Sequence, residues 1–183
     1  MASTVLPKMG GWGPRFRVSG ALYEYGTLYD AVTGGQLVPA KIKSTSGSSA
    51  SSRAPTITEA ACTIVVDNTR ELTGGIHGGM AYFPSKIDLT NYEKLVVEGL
   101  FTKGGASNTL VVACWTDIPS YYMNSVAAVC YFEEGTDGGV WDGMAALKQY
   151  GKMELDVSGL TGEYYLGFGL TMSSVMIEAI YLE

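Results

Sequence analysis

At 183 residues the chain is long enough for one domain with an ordinary hydrophobic core, so disulfide or metal staples are not needed. Charged residues are 16% of it, against 24 Gly and 12 Tyr, which suits an all-β protein rich in short turns and argues against a helical bundle. The formal net charge is −6 with Lys and Arg scattered; without a basic stripe to neutralise phosphates, nucleic acid is not an expected partner.

Met1–Arg17 (MASTVLPKMGGWGPRFR) holds Pro7, Gly10, Gly11, Gly13 and Pro14 and no periodic pattern, so it predicts an extended arm. Trp12 and Phe16 are odd choices for a solvated tail, which makes them candidate assembly contacts. In Val18–Val38, Tyr23, Tyr25 and Tyr29 stand in an irregular aromatic stretch. Leu22, Tyr25, Leu28, Tyr29 and Val32 would also suit one short helix, and both readings stay open; Gly34-Gly35 ends either. Lys43–Ser52 (KSTSGSSASS) is polar and low in complexity, a loop or linker. The expected division is residues 1–52 as arm, lead-in segment and Ser-rich loop, and residues 53–183 as the folded domain.

Ala61–Val66 is the first clear strand pattern. Gly74–Gly79 (GGIHGG) reads as a turn leading into Met80–Phe83, and Ile87–Tyr92 as a corner. Leu95, Val97 and Phe101 alternate with Lys94, Val96, Glu98 and Leu100 in a long strand. Lys103–Asn108 is a hairpin-type loop, and Thr109–Trp115 and Val126–Glu133 are apolar strands joined by Thr116–Ser125. Gly135–Gly143 is rich in turn residues, and Met144–Tyr150 suits a short helix or a strand lead-in. In the last third, Glu163–Thr171 puts Tyr164, Leu166, Phe168 and Leu170 on one face; Val175, Ile177, Ala179 and Tyr181 alternate again. Roughly eight strands from Cys62 onward, with turn signals about every 8–12 residues, predict an all-β, antiparallel two-sheet sandwich or jelly roll with an extended N-terminal arm. Leu95, Val97, Val112, Leu155, Leu166, Phe168 and Ile177 are expected in its core.

Little in the chain suggests catalysis. His77 is the only histidine, and the glycines around it suggest a crowded turn, not a rigidly held base; there is no GxSxG, and no catalytic residue is assigned. Asp88, Glu133, Glu134, Asp137 and Asp142 lie in or beside polar loops, where solvated carboxylates are common. Asp137-Gly138-Gly139 with Asp142-Gly143 faintly echoes a calcium loop but lacks the alternating oxygen ligands and terminal Glu. A structural calcium is the one ion this pattern leaves open, and no cofactor is expected. Cys62, Cys114 and Cys130 are odd in number and without CxxC spacing, so they form neither a disulfide framework nor a zinc site. Cys114 and Cys130, in the apolar runs LVVACW and VAAVCYF, are expected to be reduced and buried. No apolar run approaches the ~18 residues of a membrane-spanning helix, and Met1–Gly10 lacks the apolar core of a secretion signal, so folding in a reducing cytoplasm is expected.

Aromatic side chains in loops carry more information. Trp115, Tyr121 and Tyr122 flank or occupy one connection and Trp141 another. Aromatic rings stack on the C–H faces of sugars, and loops at the end of a sandwich commonly hold binding sites. These four are therefore candidate glycan or partner contacts. Subunit contact and plain packing remain alternatives, the last especially for Trp115, which is in phase with Val111 and Ala113.

IDLTNYEKLVVEGLF (Ile87–Phe101), MELDVSGLTGEYYLGFGL (Met153–Leu170) and IEAIYLE (Ile177–Glu183) resemble β-sandwich domains of structural proteins in tailed bacteriophages of gut bacteria, from tails, baseplates or head fibres. The shared features are an I-D-L-T-x-Y corner before a long strand, then L-D-V-S-x-L-x-G-x-Y-Y-L-G-x-G-L, and a closing strand ending in an aromatic. ALYEYGTLYDAVTGGQ (Ala21–Gln36) looks like the lead-in of such proteins. The resemblance implies a galactose-binding-like jelly roll and a non-enzymatic virion component, capsid- or tail-bound, made in the host cytoplasm. Its implied partners are other virion proteins or copies of itself, with host or mucus glycans a further possibility and no membrane insertion. A stand-alone carbohydrate-binding module is the alternative. The pattern consists of strands and turns and carries no functional residue of its own.

Overall fold

Strands are nearly the only regular secondary structure of the computed structural model, which describes residues 20–42, 51–69, 77–104, 109–118, 124–132 and 147–183. The strands β1 (Ala21–Glu24) and β2 (Thr27–Leu28) come first, followed by a single-turn helix α1 (Asp30–Thr33) and β3 (Val38–Lys41). Next are β4 (Ser51–Ser52), β5 (Thr56–Ala60), β6 (Thr63–Asp67), β7 (His77–Tyr82) and β8 (Ile87–Asp88). The long strands β9 (Lys94–Lys103), β10 (Thr109–Trp115), β11 (Val126–Tyr131), β12 (Leu147–Asp156), β13 (Glu163–Thr171) and β14 (Ser173–Leu182) complete the chain.

Two seven-stranded sheets pack face to face. The first runs β12-β9-β14-β1-β2, with β6 also paired to β14 and β5 to β6; the second runs β11-β10-β13-β7-β3, with β4 on β7 and β8 on β13. Every pairing is antiparallel except β4 with β7. The chain is thus an all-β two-sheet sandwich, as its turn spacing predicts. The stretch read as a lead-in supplies strands to both sheets, β1 beside β14 and β3 beside β7. Its two open readings both have a share: strand over Ala21–Glu24, then one helical turn from Asp30.

The inner faces meet in one core. Leu95, Val97, Phe101, Leu155, Val175 and Ile177 from the first sheet pack against Leu110, Val112, Cys114, Leu166, Phe168 and Leu170 from the second. Phe101 and Phe132 close one side with ring centroids 5.4 Å apart. Each such side chain withdrawn from water contributes about 1.5–3 kcal/mol, which is why the period-two pattern fixes the register. All seven residues expected in the core are buried, none more than 3% exposed.

One strand breaks the alternation. In β14 the register to β9 shifts between Ile177, opposite Gly99, and Ala179, opposite Glu98. Glu178 is the extra residue of a β-bulge, and a one-residue slip sends every later side chain to the other face. Val175 and Ile177 point into the core, but beyond the bulge Ile180 and Leu182 do so instead. Ala179 and Tyr181 lie with Val96 on the outer face, fully buried there. The single face expected for Val175, Ile177, Ala179 and Tyr181 is therefore split in two.

Two further expectations are corrected. His77 begins strand β7 and pairs with Ser51, so its backbone belongs to a sheet rather than a turn. Cys114 is fully buried, but Cys130, on β11 at the edge of the second sheet among the described strands, is only half-buried. Cys62, in the turn between β5 and β6, is exposed.

Candidate functional site

The segments Ile87–Tyr92 and Asp156–Gly162 fold against each other at one end of the sandwich. Asp88 Oδ1 accepts hydrogen bonds from the Thr90 amide at 2.9 Å and its hydroxyl at 2.5 Å, so the short acidic side chain closes a turn on its own backbone. Asp156 does the same with the Ser158 amide at 3.0 Å and hydroxyl at 2.7 Å. The two turns are tied together. Gly162 N–H donates to Thr90 Oγ1 at 3.0 Å, Leu89 N–H to the Gly162 carbonyl at 2.9 Å, and Val157 N–H to the Glu93 carbonyl at 2.9 Å. The hydroxyl and amide bonds of Thr90 hold the Asp88 carboxyl below its ordinary range, and those of Ser158 do the same for Asp156. Sequence reading marked this corner as strand-and-turn pattern, and its hydrogen bonds give that pattern a physical basis.

A cleft of about 370 Å³ opens beside the corner, between α1, β1 and β8. Leu22, Val32 and Leu182 contribute apolar wall, and Lys86, Asp88 and Tyr92 polar groups. Val32 is 44% exposed, whereas Leu22 and Leu182 are buried behind it. Lys86 reaches out of the cleft: its Nζ lies 5.3 Å from the Tyr165 ring centre and 3.9 Å from Asp117 Oδ1. Tyr165 in turn meets Tyr82 edge-to-face, centroids 5.7 Å apart. The end of the sandwich thus combines apolar surface, half-buried phenol rings, an ammonium and a carboxylate, the mixture that suits a ligand with C–H faces and hydroxyl groups. Sequence reading missed Lys86, Tyr82 and Tyr165. Only the outward phase of Tyr165 in β13 could have signalled any of them, since Lys86 and Tyr82 gain their meaning from β8 and β7 standing beside β13.

A second polar cluster lies on the outer face of the first sheet. Glu24, Glu98 and Glu178 are all buried there. Glu98 Oε1 accepts a hydrogen bond from the Tyr181 hydroxyl at 2.7 Å and lies 3.4 Å from Lys152 Nζ. Glu178 accepts from the Tyr150 hydroxyl, and Glu24 from that of Tyr29 at 3.3 Å. Burial, followed by the bond to Glu178, pushes the Tyr150 phenol above its usual value.

Of the aromatic residues singled out in the sequence, Trp115 has no exposed surface. It packs with Val111, Ala113, Met80 and Ile42 on the outer face of the second sheet, so in this fold its ring is packing material. Tyr121, Tyr122, Trp141, Trp12 and Phe16 lie outside the described residues, as do the side chain of His77 and Glu133, Glu134, Asp137 and Asp142. Among the described residues no group of three His, Cys, Asp or Glu is placed to hold a metal ion, and no helix is long and apolar enough to cross a membrane.

What the fold defines is a two-sheet β-sandwich with a mixed apolar and polar cleft at one end. No family model, curated protein or solved structure matches the chain.

Proposed function

We propose that this chain is a non-enzymatic structural component of a bacteriophage virion, a capsid- or tail-bound decoration or fibre protein whose sandwich contacts glycans at its cleft end. The observation that carries the reading is that the two segments bearing the resemblance, Ile87–Tyr92 and Asp156–Gly162, build one corner, and the cleft opens against it. Tyr92 and Asp88 would do the recognising in the cleft, a ring face for sugar C–H groups and an acceptor for hydroxyls, with the Lys86 ammonium at its rim beside Tyr165 and Asp117. Glycan contact moves in this reading from Trp115 to the cleft, and Tyr121 and Tyr122, a few positions after Asp117 in the sequence, remain candidates. Its partners would be other virion proteins or copies of itself.

The test has two arms. Particles of a host phage carrying the gene with an epitope tag are purified and probed for the tag, and the isolated protein is screened on an array of host and mucus glycans beside Tyr92→Ala and Lys86→Ala variants. Tagged particles together with glycan binding lost in both variants support the reading. Glycan binding by a monomer that never enters particles would favour the alternative, a stand-alone carbohydrate-binding module. Neither incorporation nor binding would overturn both.

A further inference from the structure

Two hairpins lie along the same side of β14. β6 pairs with residues 174–177 and β1 with residues 179–181, so the turn after β1 and the turn before β6 meet tip to tip. Tyr25 and Gly26, at φ +41 and +96, form the first turn. A Cβ on Gly26 would stand 3.0 Å from the Ala61 carbonyl oxygen in the second. The Tyr25 amide donates to the carbonyl of Glu178, the bulged residue, at 2.8 Å. A pocket of about 280 Å³ opens where the tips meet. Its polar lining residues are Tyr23, Gln36, Glu59 and Thr63, and Leu28 and Ile64 are apolar.

One group in this pocket is only half satisfied by its neighbours. Tyr23 is 3% exposed and belongs to the inter-sheet core with Leu22, Leu37 and Ile64, so described residues account for its burial. Its hydroxyl oxygen accepts from the Gly26 N–H at 3.0 Å. That bond fixes the oxygen and turns the hydroxyl hydrogen elsewhere, and among the described residues none accepts it. A buried phenol ordinarily finds an acceptor for its hydrogen as well. Burial pushes the phenol above its usual value and the charge of Glu59 acts in the same direction, so the hydroxyl remains a donor at neutral pH.

We propose that this pocket binds one sugar ring through its hydroxyl groups, with Tyr23 donating to a sugar oxygen and Glu59 accepting from a sugar hydroxyl. Charge and the donor inventory select the class. An ammonium or guanidinium has no acceptor for the Tyr23 hydrogen. An anion would meet the Glu59 carboxylate, and the lining residues include no Lys or Arg. An apolar group would leave Tyr23 and the polar walls desolvated without bonds. What fits is a neutral ligand with donors and acceptors side by side, the chemistry of adjacent hydroxyls. A primary amide offers the same pair but fills little of the space. The volume is that of about nine waters at ~30 Å³ each, enough for one ring, and Leu28 and Ile64 give its C–H groups apolar contact. The site is distinct from the cleft, with which it shares no lining residue.

The full chain, isotope-labelled, is titrated at millimolar concentrations with the methyl pyranosides of glucose, galactose and mannose, and amide shifts are followed by NMR. Acetate, methylammonium and acetamide serve as controls for charge and for the amide group. At least one pyranoside is expected to shift the amides of Gly26, Ala61 and Thr63. Tyr23→Phe and Glu59→Ala should each weaken that binding about tenfold, the effect of losing one hydrogen bond in a desolvated or charged pair. Glu59 is exposed, so its variant stays folded and keeps the test decisive if Tyr23→Phe does not fold. Shifts at Asp88 and Tyr92 instead would put the sugar in the cleft, which overturns this site and supports the other. No shift with any pyranoside, an equal response to a control, or unchanged binding in either folded variant would also overturn it.

Discussion

Tyr181 donates its phenolic hydrogen to Glu98 Oε1 at 2.7 Å on the sheet face that points away from the core, and only the bulge at Glu178 puts it there. Without the extra residue Tyr181 would turn inward and Ile180 outward. Removing the hydroxyl leaves a carboxylate, 8% exposed, with one donor fewer, while Lys152 stays at 3.4 Å. Tyr181→Phe is therefore expected to destabilise the fold by about 1–3 kcal/mol, the cost of an under-satisfied buried acceptor. Urea denaturation at neutral pH measures it, and an unchanged midpoint would mean that the bond contributes nothing net.

The paired turns predict a pH dependence. Asp88 and Asp156 both titrate below the ordinary carboxylate value of 3.8, because their charged forms accept hydroxyl and amide bonds from Thr90 and Ser158. A depressed folded pKa contributes stability that is fully present above the ordinary value and lost as pH falls through the folded one. The wild-type chain should lose this contribution below about pH 4, and a double Asp88→Asn, Asp156→Asn variant should lose less over the same range. Melting curves from pH 7 to 2.5 decide it: parallel acid losses in both proteins would show that other groups dominate.

Gly99 stands opposite Ile177, where the bulge begins, and a Cβ on it would overlap the Met176 carbonyl oxygen. Backbone of a paired strand cannot yield as a flexible side chain can. Gly99→Ala should therefore cost about 1–3 kcal/mol or more, like other overpacking in a rigid site. Gly159→Ala serves as a control, since its Cβ would meet open space. Equal melting temperatures for the two variants would refute the close approach.

The core was legible wherever side chains strictly alternate. Leu166, Phe168 and Leu170 declare their face, and the turn residues around them set the strand ends. The bulge was not legible, because Glu178 between Ile177 and Ala179 preserves the apparent alternation; only pairing with β9 reveals the slip. Trp115 could be read as loop platform or as packing, since a residue at a strand end adjoins both. The cleft was hidden for another reason. Leu22, Asp88 and Leu182 are distant in sequence, and no local pattern records that β1, β8 and β14 end side by side.

The three cysteines differ in burial, and burial orders their reactivity. Only the thiolate attacks disulfide reagents. Burial pushes the Cys114 thiol up to about 12, and its residue has no exposed surface, so at pH 8 about one molecule in ten thousand would carry the thiolate, and that one out of reach. Cys130 is half-buried on edge strand β11, and Cys62 is exposed in its turn. Under native conditions Cys62 should react first, Cys130 more slowly, and Cys114 only at the rate of unfolding. Adding denaturant should release all three at once. Mass spectrometry of the labelled chain over time separates the sites, and labelling of Cys114 on the same timescale as Cys62 would show that β10 is not sealed between β11 and β13.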